Sequence, residues 1–417
     1  MLEKRICSTL FSRIRAGGLS VTYWDGATER YGPEPSLAIR LRSPAVVWAI
    51  CRNVYLGFGE GYMSGEIEIE GDLAELGRIS AANRHVAPLA RRLHRYGPHG
   101  MRRLGGRLWS SKSGQAANVR HHYDLGNDFY RLWLDRSMTY SCAYFRRPDD
   151  TLEQAQEQKV RHILRKLHLQ PGMRLLDIGS GWGELVIAAA REHGVRAHGI
   201  TLSREQLRHT RGRIAAEGLE DMVSVELCHY GDVPGRERFD RVVSVGMYEH
   251  VGAGNHPAYM AAVGRLLRQG GVSLLHTITQ LRDRPTNAFI ERYIFPGGRL
   301  PTLEGILGLL PGRDFHAVDY ESLRRHYART LQAWYERFES SRERVAQMYD
   351  ERFVRMWRMY LRGSFAAFAY GELDLAQVLW TKGLTDSLPM TREYVYREPL
   401  ALLRPAGAAD RGLREAG

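Results

Sequence analysis

Residues 175–185 read LLDIGSGWGEL, and the reading of this stretch decides the fold. An apolar run broken by one acid, Asp177, leads into glycines at every second position, Gly179, Gly181 and Gly183, and the residues after them read as the opening of a helix. A strand that ends in a glycine-rich turn and resumes as a helix is the first unit of an α/β sheet. Glycines at such a turn let the backbone approach a ligand that a side chain would hold off, beside a helix N-terminus. The spacing is GxGxG and not GxGxxG. About twenty residues further on, where a dinucleotide site wants an acid on the ribose, HGITLS offers none, which disfavours nicotinamide dinucleotides. Three glycines alone also fit a tight turn that binds nothing.

Outward from this stretch, VRAHGIT, VSVEL, DRVVSVG and GGVSLLHTI recur as apolar, β-rich runs separated by helical stretches such as SREQLRHTRGRIAAEG and NHPAYMAAVGRLLRQ. That alternation predicts a doubly wound α/β fold with a parallel sheet. Upstream, TLEQAQEQKVRHILRKLHL has a threonine cap, acids in its first turn and bases in its last, which complements a helix dipole. Residues 285–390 read as helical and aromatic, clearest in RERVAQMYDERFVRMWRMYLRGSFAAFAYG. The domain reading is a small N-terminal α+β domain over 1–85, a basic linker over 86–123, the sheet domain over 124–390 and a tail over 391–417. Within the sheet domain DRVVSVGMYEHVG, residues 240–252, reads as a buried strand ending on Glu249 and His250. Burial of such groups costs several kcal/mol unless they are paired or used.

Composition narrows the class. With 417 residues, 44% hydrophobic and 25% charged, the chain can bury a full core, and it has no apolar run of the roughly eighteen residues that span a bilayer. Its start, MLEKRICSTLFSRIRAGG, does not read as a secretory signal, so a cytoplasmic address is expected. Cys7, Cys51, Cys142 and Cys228 lie far apart with no CxxC pair, which argues against a zinc ribbon or a disulfide framework, and no metal is expected. The net charge of +12 is concentrated: no acid lies between Glu75 and Asp124, a stretch that holds Arg91, Arg92, Arg95, Arg102, Arg103 and Arg107 among its bases. Such a segment suits an anionic membrane surface, where each basic residue contributes roughly 1 kcal/mol. It is short of the aromatics that nucleic-acid binding would use, so nucleic acid is not the expected partner.

An acid two residues before the glycines, here Asp177, resembles the first motif of class I S-adenosylmethionine-dependent methyltransferases. Longer stretches then agree: HHYDLGNDFYRLWLDRSMTYSCAYF, ITLSREQ, SVGMYEHVG, LLHTI, RYIFPGG and LQAWYERF resemble, in order, the cyclopropane-fatty-acyl-phospholipid synthases and mycolic acid cyclopropane synthases over roughly residues 118–385. GFGEGYMSGEIEIEGDL resembles the smaller domain of the phospholipid-acting members, which favours intact phospholipid as substrate. The resemblance implies S-adenosylmethionine as cofactor, held by Tyr140 and Ser141, by Gly179, Ser180 and Gly181 under its methionine end, by Thr201, Leu202, Ser203 and Gln206 around the ribose, and by Tyr230 and Gly231 near the adenine. Ser180 stands where many relatives have cysteine.

An alkene is a poor nucleophile, and its methylation leaves a carbocation; ring closure then requires a base that removes a proton without being alkylated. In the family this base is thought to be bicarbonate, held by a set that matches here as Cys142, Glu249, His276, Tyr327 and the backbone of Ile278. Each also has a plainer reading: Cys142 as a packing residue, Tyr327 as a helix-surface aromatic, and His250, outside the set, as a local cap. The resemblance further implies a homodimer and peripheral association with the inner face of a membrane. A product left as a methylene or methyl branch remains an alternative within the class. A silent lipid-binding relative would show a degenerate site, and no matched position is lost.

Overall fold

The computed structural model describes residues 2–86, 114 and 125–396. Nearly all of the basic segment expected over 86–123, and residues 397–417 of the expected tail, lie outside the described residues.

LLDI forms an inner strand of the larger sheet. In the order β10-β11-β9-β8-β5-β6-β7, strand β5 (Arg174–Ile178) is the middle one of five neighbouring strands, with β6 (Arg196–Thr201) and β7 (Val223–Leu227) on one side and β8 (Phe239–Val245) and β9 (Leu267–Gln280) on the other. These five strands are mutually parallel, with Asp177 paired to Gly199 on one side and Val243 on the other. The runs of β5, β6, β8 and β9 are largely apolar because they are covered on both faces, whereas β7, at the edge, is half exposed. Among helices of eight residues or more we number α1 (Leu2–Phe11), α2 (Pro44–Arg52), α3 (Val54–Ser64), α4 (Ala74–Ala82), α5 (Leu152–Lys166), α6 (Glu184–His193), α7 (Arg204–Ala216), α8 (His256–Leu266), α9 (Arg324–Ser340) and α10 (Glu351–Ala369). The predicted threonine start of α5 is present as a full capping box: Thr151 Oγ1 accepts the Gln154 N–H, and Gln154 Oε1 accepts the Thr151 N–H.

The stretch 285–390 is not wholly helical. Between its helices lie β10 (Phe315–Ser322) and β11 (Leu373–Lys382), antiparallel to each other, with β11 inserted antiparallel between β9 and β10. Helices α9 and α10 pack on each other, and their aromatic residues form a core with the segment around Phe129 and Trp133. Ring centroids stand 4.9 Å apart for Phe129 and Trp357 and 5.5 Å apart for Trp133 and Trp334, with the planes steeply inclined as aromatic pairs prefer.

The N-terminal residues form a second, four-stranded sheet in the order β2-β1-β3-β4, from β1 (Leu19–Thr22), β2 (Thr28–Tyr31), β3 (Leu37–Leu41) and β4 (Ile67–Glu70). Alternate residues Val21, Ile39 and Ile67 fill its core. Helices α3 and α4 of this unit pack against α10. The approach is close, because a Cβ on Gly77 would stand 2.4 Å from the Ala366 Cβ. Arg362 of α10, buried, grips both carboxylate oxygens of Asp72, with its Nε to Oδ1 bond at 2.8 Å.

Candidate active site

The turn after β5 is one that only glycine makes without strain. Gly179, Gly181 and Gly183 have φ of +88°, +55° and +90°. A Cβ would lie 2.8 Å from Met247 Cβ at Gly179 and 2.4 Å from Thr210 Cγ2 at Gly183, whereas Gly181 faces open space. That space is a cleft at the carboxyl ends of the strands, the position where open α/β sheets bind ligands. Asp177, Gly179, Ser180 and Gly181 form its floor. Thr201, Leu202 and Gln206 line it from β6 and the start of α7, with Tyr230 beyond β7 and Tyr140 and Ser141 opposite. Two expected residues stand back from this lining: Ser203 caps α7 by accepting the Gln206 N–H at 3.3 Å, and the Gly231 N–H donates to His229 Nδ1 at 3.1 Å.

The cleft also holds groups the sequence reading did not single out. Lys159 of α5 lines it, buried, with Nζ donating to Ser141 Oγ at 3.0 Å. Gln156, one turn earlier, donates to the carbonyls of Thr139 at 3.1 Å and Ser141 at 2.9 Å, so α5 holds the loop that carries Tyr140, Ser141 and Cys142. His250, expected above only as a local cap, lines the cleft too, against the Phe295 ring, and burial pushes it down to about 4, so it is neutral near pH 7. Burial pushes the Asp177 carboxyl up to about 7, against the pull of Lys159, and the Lys159 ammonium down to about 8, against the pull chiefly of Asp135. Asp177 Oδ1 and Ser180 Oγ are buried with no hydrogen-bond partner among the described residues, so polar capacity is left for a ligand with cationic and hydrogen-bonding groups. S-adenosylmethionine fits such a floor.

A second cluster adjoins the cleft. Strand β8 ends at Val245, Gly246 turns the chain with φ +65°, and Glu249 follows in a one-turn helix, Tyr248–His250, and not on the strand itself. Its Oε1 accepts the Ile278 N–H at 2.7 Å, so that donor is engaged by Glu249 and orients the carboxylate. Burial pushes this carboxyl up to about 6. His276 lies on β9 two residues before Ile278, fully buried, and burial holds it well below its usual range and therefore neutral. Its Nδ1 accepts the Gln377 amide at 3.1 Å, which leaves the ring proton on Nε2, an atom buried without a partner among the described residues. An unused neutral donor at that point fits a small anion such as bicarbonate.

Cys142 and Tyr327 join through the backbone. The Cys142 thiol reaches the carbonyls of Ala143 at 3.2 Å and Leu323 at 3.9 Å, and the Tyr327 N–H donates to the same Leu323 carbonyl at 2.9 Å. The Leu323 N–H donates to Leu375 O at 2.7 Å, and Leu375 is the cross-strand partner of Ile278. Tyr327 is buried against Trp334 and Phe368 and is not on the helix surface. Burial pushes the Cys142 thiol far up, so it is no thiolate near pH 7. The Tyr140 hydroxyl meets that of Tyr360 at 2.6 Å, which ties the loop that carries Tyr140, Ser141 and Cys142 to α10.

Comparison with known proteins agrees with this geometry. Residues 110–378 match the mycolic acid cyclopropane synthetase family, and residues 6–88 match a domain family of unknown function. The chain is 40% identical over 395 residues, 91% of its length and 96% of the relative's, to a "Probable fatty acid methyltransferase" of Pseudomonas putida. It is 38% identical over 359 residues, 85% of its length and 90% of the relative's, to the cyclopropane-fatty-acyl-phospholipid synthase of Escherichia coli. Among solved structures, mycolic acid cyclopropane synthase CmaA1 complexed with SAH and CTAB superposes with a TM-score of 0.61 at 37% identity, covering 64% of this chain and 98% of that one. The family match over residues 110–378 and the relatives at 40% and 38% identity place the chain: it belongs to the mycolic acid cyclopropane synthetase family of methyltransferases.

Proposed function

We propose that this chain methylates a cis double bond in a phospholipid acyl chain and that proton loss to a bicarbonate beside Glu249 closes a cyclopropane ring. The observations that carry this reading are a buried carboxylate, Glu249, just beyond β8 and, on β9, a buried neutral histidine, His276, whose Nε2 has no partner among the described residues. When bound, S-adenosylmethionine supplies an electrophilic methyl group on a cationic sulfur, and bicarbonate supplies a base too small and too weakly nucleophilic to trap the cation. Glu249, oriented by the Ile278 N–H, and the His276 Nε2–H would hold the anion, with the Tyr327 hydroxyl and Cys142 closing the set. Tyr140, which lines the cleft, is backed by the buried rings of Trp133, Trp334 and Tyr360; in this reading that apolar backing helps exclude water that would otherwise quench a carbocation, and a ring face favours positive charge.

Among the described residues no helix is long and apolar enough to cross a membrane. In this reading the acid-free basic segment brings the chain to an anionic phospholipid membrane. The name of the Pseudomonas relative, a fatty acid methyltransferase, supports a second reading in which methylation ends in a methylene or methyl branch.

The test is turnover on vesicles of unsaturated phospholipid with S-adenosylmethionine, with and without bicarbonate, read by mass spectrometry of the fatty acyl esters. The expected product is heavier by one CH2, resists mild hydrogenation and forms more slowly when bicarbonate is removed. A reducible methylene product would replace ring closure by the second reading. Flotation with anionic and zwitterionic vesicles tests the surface; indifference to lipid charge and salt would overturn it.

A further inference from the structure

Helix α5 carries two lysines, Lys159 and Lys166, each only 2% exposed. Their surroundings differ. Lys166 Nζ meets Glu321 Oε2 at 2.6 Å and Asp319 Oδ2 at 3.2 Å, so its charge is balanced where it lies. Lys159 Nζ donates to the neutral Ser141 hydroxyl at 3.0 Å, and no carboxylate oxygen of the described residues comes within 4.0 Å of it. Asp135, Asp177 and Glu184 act on it only from further off. Asp135 is already engaged, by the Ser137 N–H at 2.8 Å, the Thr139 N–H at 3.0 Å and the Ser137 hydroxyl.

An ammonium has three donors, and burial without a counter-charge is costly unless something supplies one. Lys159 lines the cleft beside the turn at Gly179 to Gly181, with the buried Ser180 Oγ also lacking a partner among the described residues. S-adenosylmethionine and its product SAH each carry one anionic group, the carboxylate of the amino-acid end.

We propose that Lys159 is a further cofactor-binding residue, whose ammonium pairs with that carboxylate while its bond to Ser141 fixes the Nζ position. The proposal rests on the cofactor reading above and deepens it by assigning the cation that recognises the amino-acid end. Lys166 serves as the internal contrast: the same helix and the same burial, but no access to the cleft and therefore a built-in pair.

The experiment is calorimetric titration of the full chain with SAH and with 5′-methylthioadenosine, which keeps the adenosine and thioether but lacks the carboxylate. Wild type, Lys159→Met and Lys159→Arg are compared, with circular dichroism as the check on folding. Lys159→Met is expected to weaken SAH by about 10- to 100-fold, the range of a lost charge-assisted bond, and 5′-methylthioadenosine by less than about twofold. Equal weakening of both ligands would mean a structural role and overturn the proposal, as would SAH binding left unchanged. Should Lys159→Met not fold, Lys159→Arg carries the same test, since it keeps the charge but moves it, and its loss should again be confined to SAH. If wild type binds 5′-methylthioadenosine no more weakly than SAH, the cofactor site stands but the carboxylate contact does not. If wild type binds neither, the cofactor reading falls and this proposal with it.

Discussion

Glu249 is held in a state that the fold resists. Its carboxyl is raised from 4.5 to about 6 by burial, so the folded chain holds this proton more tightly than the unfolded chain does. The associated stability is fully present below about pH 4.5 and is lost as pH rises through 6, on the order of 2 kcal/mol by the time the group is ionised. Glu249→Gln keeps an acceptor for the Ile278 N–H but removes the charge. Its melting temperature should therefore match wild type near pH 4.5 and exceed it above pH 7, measured by calorimetry across pH, while turnover falls by about 100-fold or more. Wild-type turnover should decline as pH drops through about 6. The role proposed for Glu249 came from a resemblance, but its oddity was legible in the bare sequence, as an acid where an apolar strand should close. His276 was not odd in that way, because nothing in LLHTI tells whether a buried histidine is satisfied; only the register with Gln377 leaves Nε2 without a partner among the described residues.

Helix α5 shows how much an element's sequence can hide. Its capping box was readable from TLEQ, and Thr151→Ala should lower stability by about 1 kcal/mol in urea unfolding, through loss of the bond to the Gln154 N–H. The loop-holding pair was also present in the letters. Gln156, Lys159, His162 and Lys166 recur every three or four residues and are all buried, a polar stripe on the face that also carries Ala155, Val160 and Ile163. Polar residues repeating on a core-facing stripe are the signal that would have found Lys159. The five parallel strands were legible because each is a β-rich run bounded by turns; β5, β6, β8 and β9 are largely buried, while β7, at the sheet edge, keeps the alternation of a half-exposed strand. Strands β10 and β11 were not, for opposite reasons: FHAVDYES is largely exposed and lacks a clean alternation, while LDLAQVLWTK is an apolar run that period alone cannot separate from a buried helix.

At the scale of the whole molecule, the two sheets are joined where α10 meets α3 and α4. α10 also carries Tyr360, whose hydroxyl meets that of Tyr140 in the cleft lining, so the small unit and the cleft share one helix. Gly77→Val would drive a side chain into Ala366 and should cost about 1–3 kcal/mol of overpacking, seen as a lowered or split transition in differential scanning calorimetry. An unsplit, unshifted transition would mean that the contact is dispensable. The position of β11 sets an order of events for the newborn chain. Strand β9 offers its outer edge to β11, and among the described residues β10 has no neighbour except β11, so neither can finish this pairing until residues 373–382 have left the ribosome. At roughly 5–20 residues per second, both strands wait for seconds with open backbone edges after their own synthesis. During that interval the half-made sheet is a client for chaperones, and the last of the described strands to be synthesised is the one that closes the gap between β9 and β10.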